Sequence, residues 1–247
     1  MSNTKIQQTM KKSFLLLVAT LIMSSSAFAI GGLDLSVGPK IGYQTAKLSV
    51  YKADIKSDFS EHFTAGAFVR LDFQGLYIQP EVLWFKSSNV FDMANTVDHG
   101  FNIGSLEVPT GANVNVTLKE QNIQVPIFIG YRFNVLSDIL AIRPQVGPTL
   151  NFVIPQRTLV NTSVGTSPDV EIENQTFDTK TIAFGLQAGV GFDVLGFTLD
   201  INYNIGINKV FGANIINNTE WGQYIDTNNI SDAHRNMFMV TLEYKFL

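Results

Sequence analysis

Cysteine is absent from the 247 residues. In an exported chain this excludes a disulfide framework, thiolate metal sites and cysteine nucleophiles. Histidine is scarce: His62, His99 and His234 are the only three, and no His-x-His or His-x3-His spacing gathers them into a metal site. His62, beside Glu61 and Thr64, has no serine at a spacing that would make a nucleophile–base pair, so no catalytic set is evident. Phosphate-loop and dinucleotide fingerprints are missing too, and no cofactor or metal is expected. Beyond the N-terminal segment no apolar run approaches the roughly 20 residues that a spanning helix needs.

That N-terminal segment reads as a secretory signal over residues 1–29. Lys11 and Lys12 precede the apolar run Phe14 to Met23, and Ala27-Phe28-Ala29 supplies the small-x-small cleavage site. Met10 is an alternative start to Met1, since the first nine residues add nothing a signal requires. Cleavage after Ala29 leaves one expected domain, residues 30–247. Without the three lysines of the signal, 14 basic residues face 21 acidic ones, a net charge of −7. Nucleic-acid binding calls for the opposite sign and is not expected.

What the chain has in abundance is alternation. From Phe197 to Asn208 every second side chain is apolar: Phe197, Leu199, Ile201, Tyr203, Ile205 and Ile207 share one face, and Thr198, Asp200, Asn202, Asn204, Gly206 and Asn208 the other. A strand alternates its side chains between two faces, so this segment separates an oily phase from a polar one. The pattern recurs in Leu33 to Lys47, Phe63 to Phe73, Leu76 to Phe85, a strand ending at Phe133, a strand through Leu140 to Phe152, one through Ile182 to Asp193, and Asn236 to Leu247. With no candidate helix, a closed barrel is the remaining way for such a chain to satisfy its backbone in a bilayer.

The connections carry a second regularity. Gln74-Gly75 and Leu195-Gly196 read as two-residue hairpin turns in which glycine supplies a positive φ. Such turns pair Phe73 with Leu76, Arg70 with Gln79, and Phe192 with Leu199, each pair on one face. Asn134 to Ile139 is a slightly longer link. The other connections are long and polar: Leu48 to His62, Ser87 to Thr117, Val153 to Thr179 and Lys209 to Arg235. Short turns at one end and long loops at the other predict an all-β, eight-stranded antiparallel up-and-down transmembrane β-barrel of a Gram-negative outer membrane, with both termini periplasmic.

A soluble barrel of the lipocalin kind has the same strand count but turns its apolar faces inward. The aromatics favour the membrane. Phe73, Tyr131, Phe133, Phe192, Phe197, Tyr244 and Phe246 gather near the short turns, and Tyr43, Phe63, Trp84 and Phe152 near the long loops, as two interfacial girdles. The polar faces are then inward. They carry Lys40, Arg70, Arg132, Arg143 and Lys245 against Asp34, Asp72, Glu81, Asp193, Asp200 and Glu243. An eight-stranded lumen holds little beyond its own side chains, and unpaired charges there are costly, so a structural salt-bridged network is expected. The alternative is a narrow ion path.

Several segments resemble the PorT-like outer-membrane β-barrel family, whose barrels are OmpA-like. They are Gly38-Pro39-Lys40-Ile41-Gly42-Tyr43, Leu76-Tyr77-Ile78-Gln79-Pro80-Glu81-Val82-Leu83, Asn122-Ile123-Gln124-Val125-Pro126-Ile127 and Arg143-Pro144-Gln145-Val146-Gly147-Pro148. The closing Val240 to Phe246 is similar to the terminal strand that the barrel-insertion machinery reads, with Leu247 following the usual final aromatic. The resemblance implies architecture; it implies no activity, because the family is defined by strands rather than by a site.

The partners expected are outer-membrane lipid, the insertion machinery, and a protein or glycan ligand at the cell surface. Loops over a rigid scaffold concentrate binding residues, and Trp221 and Tyr224 are aromatic anchors there. Five Asn-x-Ser/Thr patterns, at Asn115, Asn161, Asn174, Asn217 and Asn229, read as by-products of Asn-rich loops. A structural or surface-binding role through four long extracellular loops is the leading expectation. A small pore or secretion-accessory barrel is the alternative, and a membrane-embedded hydrolase or acyltransferase stands behind both for want of a catalytic set.

Overall fold

Alternating sequence becomes alternating exposure along every long strand. The computed structural model describes residues 32–49, 60–93, 101–103, 106–108, 110, 114–136, 139–162, 170–172, 177–216 and 234–246. The long strands are β1 (Leu33–Ser49), β2 (Ser60–Phe73), β3 (Leu76–Met93), β4 (Val114–Tyr131), β5 (Leu140–Thr162), β6 (Ile182–Val194), β7 (Phe197–Gly206) and β8 (His234–Tyr244). Each pairs antiparallel with its neighbours in sequence, and β1 closes the ring on β8. Closure removes the sheet edges that a bilayer could not solvate.

The oily faces point out. Tyr43, Phe63, Trp84, Ile129, Phe184, Tyr203 and Leu242 are exposed, whereas Lys40, Arg70, Glu81, Arg143, Asp200 and Glu243 are buried inside the ring. A ligand-carrying soluble barrel has the reverse arrangement, so the lipocalin alternative falls. The aromatic girdle at the short-turn end is also present. Tyr131 and Phe133 meet at a tilt with 4.8 Å between ring centroids, Phe197 and Tyr244 likewise at 5.0 Å, and Tyr244 and Phe246 edge to face at 5.4 Å. Phe192 alone of that predicted set is half-buried.

Both two-residue hairpins have the expected register. Phe73 faces Leu76, and Phe192 faces Leu199. Their turn residues all have positive φ, Gln74 at 53° and Gly75 at 91°, Leu195 at 47° and Gly196 at 87°, the signature of a type I′ turn. The third short connection differs from expectation. β4 stops at Tyr131, and Phe133–Leu136 folds back as a separate short strand against Leu140 to Ile142. The Ile139 amide donates to the Leu136 carbonyl at 2.9 Å and closes the turn there.

The expected long connections are partly strand. β3 runs on to Met93, β4 starts at Val114 and β5 continues to Thr162, so these three strands rise as a ladder beyond the rest of the barrel. Asn115 and Asn161, read as loop residues, sit opposite each other in it. A bulge at Gln156, unpaired between Lys119↔Arg157 and Glu120↔Pro155, interrupts the ladder where it leaves the ring. Short pieces Val170–Ile172 and Phe177–Thr179 add to β5 and to Phe211–Ile216. The signal segment, His99, Asn174, Asn217, Trp221, Tyr224 and Asn229 lie outside the described residues.

A Cβ added at Gly196 would meet nothing within 4 Å, so Gly196→Ala tests the turn conformation without steric side effects. Holding alanine at that φ costs about 1–2 kcal/mol. The variant, refolded in detergent, is expected to unfold at lower urea concentration by that amount, with an unchanged denaturant slope.

Candidate functional site in the barrel lumen

Alternation places one polar residue from each strand at a common level of the lumen, and the level nearest the short turns is ionic. The Lys40 ammonium of β1 donates to Glu81 Oε1 of β3 at 2.7 Å, Asp200 Oδ2 of β7 at 2.8 Å and Glu243 Oε1 of β8 at 2.9 Å. The lysine side chain is 1 % exposed and the three carboxylates 0 %. Three carboxylates this close exclude one another electrostatically without a cation, and the ammonium between them supplies it.

Two guanidiniums extend the network. Arg70 Nη2 of β2 meets Glu243 Oε2 at 2.6 Å, and its Nε donates to Gln79 Oε1. Arg143 of β5 donates from Nε to Asp193 Oδ1 at 2.8 Å and from Nη2 to Asp200 Oδ1 at 3.1 Å. The Tyr77 ring lies near both cations, 5.4 Å from Arg70 and 5.1 Å from Arg143, and its hydroxyl donates to Gln145 at 2.9 Å. Gln79 Nε2 bridges Glu81 and Glu243 at 2.7 and 2.8 Å. Small residues make the room. A Cβ on Gly191 would come within 2.7 Å of Arg143 Nη2 and clash with Asp200, and one on Gly130 would clash with the Tyr77 ring.

Of the predicted lumen residues, Lys40, Arg70, Glu81, Arg143, Asp193, Asp200 and Glu243 are thus in one connected cluster. Lys245 joins at its edge, 3.1 Å from Asp193 Oδ2, which Thr198 also contacts through Asp193 Oδ1 at 2.6 Å. Arg132 stands off at 3.8 Å from Asp193 and belongs to no strand. Asp72 lies apart, accepting the Gly75 amide at 2.9 Å. Asp34, taken as inward from its parity, is exposed because it sits at the very end of β1, where the lumen opens. Five cations then face five anions.

The sequence sets Gln79 beside Arg70 on one face, as found, but sequence reasoning left the uncharged partners Tyr77 and Gln145, also inward, out of the network. It also missed a second polar level near the long loops. There Arg235 donates to Glu120 Oε2 at 2.6 Å and Asn122 Oδ1 at 2.8 Å, and Asn122 donates to Ser87 at 2.9 Å. These residues fell inside or beside the stretches read as loops. Between the two lies a mixed level, where the apolar cluster of Leu83, Phe85, Met237 and Met239 faces the buried amides Gln124, Gln44 and Asn202 across the ladders. Of the histidines, His62 lies in β2 opposite Gln44, and His234 opens β8.

Residues 23–212 match the family of outer membrane protein beta-barrel domains. The chain belongs to that family. Its place is the outer membrane, and its strands cross the bilayer. Similar solved structures include Ail, the attachment invasion locus protein of Yersinia pestis, crystallised with the heparin analogue sucrose octasulfate, at 12 % identity over 86 % of this chain and 99 % of that one, TM-score 0.40. Neisserial surface protein A is 14 % identical over 87 % of this chain and 99 % of its own, TM-score 0.41. The N-terminal barrel domain of Pseudomonas aeruginosa OprF is 6 % identical over 85 % and 97 %, TM-score 0.28. No curated protein matches the sequence.

Lys40→Met leaves three buried carboxylates facing one another. It is expected to lower unfolding stability by about 3–5 kcal/mol, the usual cost of stranding buried charge. Lys245→Met, at the edge of the cluster, should cost clearly less, because Arg143 still holds the Asp193 carboxylate at 2.8 Å. Urea titrations of the two variants in one detergent give the comparison, and similar midpoints would contradict a central role for Lys40.

Proposed function

We propose that this protein is a closed-lumen outer-membrane barrel whose specific work is done at its ends, as a structural component or as a surface-binding protein acting through four long extracellular loops. The observation that carries this reading is the Lys40 site: one ammonium held by three carboxylates across the ring, with both arginines wedged against it. Opening a path through that level means separating buried charges, at several kcal/mol for each broken pair. The apolar cluster of Leu83, Phe85, Met237 and Met239 stands in series with it.

In this reading the short turns and both termini face the periplasm, the rule for barrels of this kind. Residues 1–29 direct export and the last strand addresses the insertion machinery. The PorT-like motifs at Gly38 to Tyr43 and Leu76 to Leu83 support placing the chain in that branch of the family. The lumen offers the chain's charges to one another rather than to a substrate, which argues for a non-enzymatic role without cofactors. The competing reading is a small pore or a secretion accessory. It draws on the buried polar side chains present at each level of the lumen, including Gln44, Gln124 and Asn202 beside the apolar cluster.

Planar-bilayer recording separates the first two readings. The purified protein is expected to give no stable open level, and a sustained conductance would overturn the closed lumen. Deleting the long loops one at a time addresses their role: loss of binding to host-surface or glycan arrays is the expected result, whereas a defect in export of other proteins with binding intact would favour the accessory reading.

A further inference from the structure

At the short-turn end a cleft of about 340 Å³ opens between the β2–β3 turn and the start of the β4–β5 connection. Asp72, Gly75, Tyr131, Arg132, Phe133 and Asn134 line it. Its floor is fixed by the Arg132 amide donating to the Gly75 carbonyl at 2.7 Å and by Asp72 holding the Gly75 amide at 2.9 Å. The chain leaves its strand at Arg132, between two girdle aromatics, which brings a guanidinium to the level of the membrane interface.

The charges around this cleft are unbalanced in a particular way. Arg132 Nε is buried and has no hydrogen-bond partner; Asp193 Oδ2 stands 3.8 Å away, beyond hydrogen-bond reach, and is already engaged by Lys245. On the other wall Asp72 sits directly opposite Asp34 in the β1–β2 ladder, and among the described residues no cation pairs with either. Like charges opposed across a ladder repel. One side of the cleft therefore holds a guanidinium whose Nε has no hydrogen-bond acceptor and only the shared Asp193 carboxylate nearby, and the other a carboxylate with no paired cation among the described residues, at the depth where lipid headgroups lie.

We infer that this cleft binds the headgroup of a phosphatidylethanolamine, with its phosphate on Arg132 and its ammonium on Asp72. A guanidinium matches phosphate oxygens in geometry and charge, and a primary ammonium carries the donors that a carboxylate lacks here. The volume lies within the range of ordinary small-ligand sites. Tyr131 and Phe133 flank the guanidinium where the lipid's glycerol and upper chains would run. The assignment to an inner-leaflet lipid rests on the proposed periplasmic position of the short turns; the headgroup chemistry does not.

The test uses the full-length folded protein in nanodiscs of phosphatidylethanolamine, phosphatidylcholine or phosphatidylglycerol, followed by native mass spectrometry after detergent release. Retention of one phosphatidylethanolamine is expected, favoured about tenfold over the other two, the ratio that one charge-assisted hydrogen bond supports. Phosphatidylcholine has a methylated ammonium that cannot donate, so equal retention of it by the wild-type protein overturns the proposal with no variant needed. Arg132→Gln, checked for folding by heat-modifiable gel migration, is expected to lose the retained lipid. Asp72→Asn can still accept the Gly75 amide and is expected to keep a bound lipid while removing the preference over both phosphatidylcholine and phosphatidylglycerol. Free O-phosphorylethanolamine binding as tightly as the lipid would overturn the lipid as source. Orientation is read separately: the chain has no cysteine, so Gln74→Cys in intact cells reports its side to a membrane-impermeant maleimide. Labelling from outside would refute the periplasmic position and leave the headgroup result standing.

Discussion

The seam between β1 and β8 is the contact on which the rest of the structure depends. It joins the first and last strands of the ring, and until it forms both strands present unpaired backbone groups that lipid cannot satisfy. Its register sets Lys40 directly opposite Glu243. Sliding the seam by one residue would set Lys40 against Leu242 or Ile41 against Glu243, so that one strand of the pair had to turn its charge to the lipid and its apolar row inside, because side chains alternate with a period of two. The ion pair across the seam thus specifies register as much as it contributes energy. Asp200 and Glu81 reach the same ammonium from β7 and β3, so strands far apart around the ring are tied through one atom.

Buried ion pairs are poor sources of net stability, since each charge gives up its hydration. In this lumen the exchange is easier to understand. An eight-stranded ring leaves room for side chains and little else, and every inward position must be filled by something the lipid face does not want. Gly191 and Gly130 show how tight the fit is, each a missing Cβ occupied by an arginine or tyrosine from a neighbouring strand. The cations lie against Tyr77 as well as against carboxylates, which gives them a second form of compensation in place of water. The lumen is consequently graded, ionic near the short turns, then a level where Leu83, Phe85, Met237 and Met239 sit among buried amides such as Gln44, Gln124 and Asn202, and again polar towards the long loops.

Strand number, the direction of the faces and both tight hairpins were legible in the sequence, because period-two alternation and positive-φ turn residues are local signals. The ionic cluster was legible as a set of residues, since parity alone sends Lys40, Glu81, Asp200 and Glu243 to one side. Its wiring was not. Which carboxylate meets which cation depends on strand tilt and register around the whole ring, and these are long-range. The extensions of β3, β4 and β5 were hidden for another reason: beyond the bilayer both faces of a strand are wetted, so Ser87 to Met93 loses the alternation that marks a strand inside it. Arg235 and Glu120 were overlooked with them. Asp34 failed in the opposite direction, since parity gives a side chain's direction and says nothing of how far along the axis the lumen still encloses it.

The division of surfaces limits where recognition chemistry can sit. The outer wall is committed to hydrocarbon, and a polar group placed there would cost several kcal/mol near the midplane. Inward-facing Lys40, Arg70 and Arg143 are committed to carboxylates, and releasing any of them for a ligand would strand its partners. The two rims are where polar groups lie outside both the hydrocarbon and the ionic level and within reach of solvent. At the long-loop rim the supporting ladder of β3, β4 and β5 holds the chain well beyond the ring, which favours reach. At the short-turn rim the two-residue turns hold it close, and reach is exchanged for fixed geometry: Gly75 and Arg132 are locked together by a backbone hydrogen bond. A fixed geometry suits a small ligand that is always present, such as a component of the membrane, whereas long loops suit a large partner that must be met at a distance.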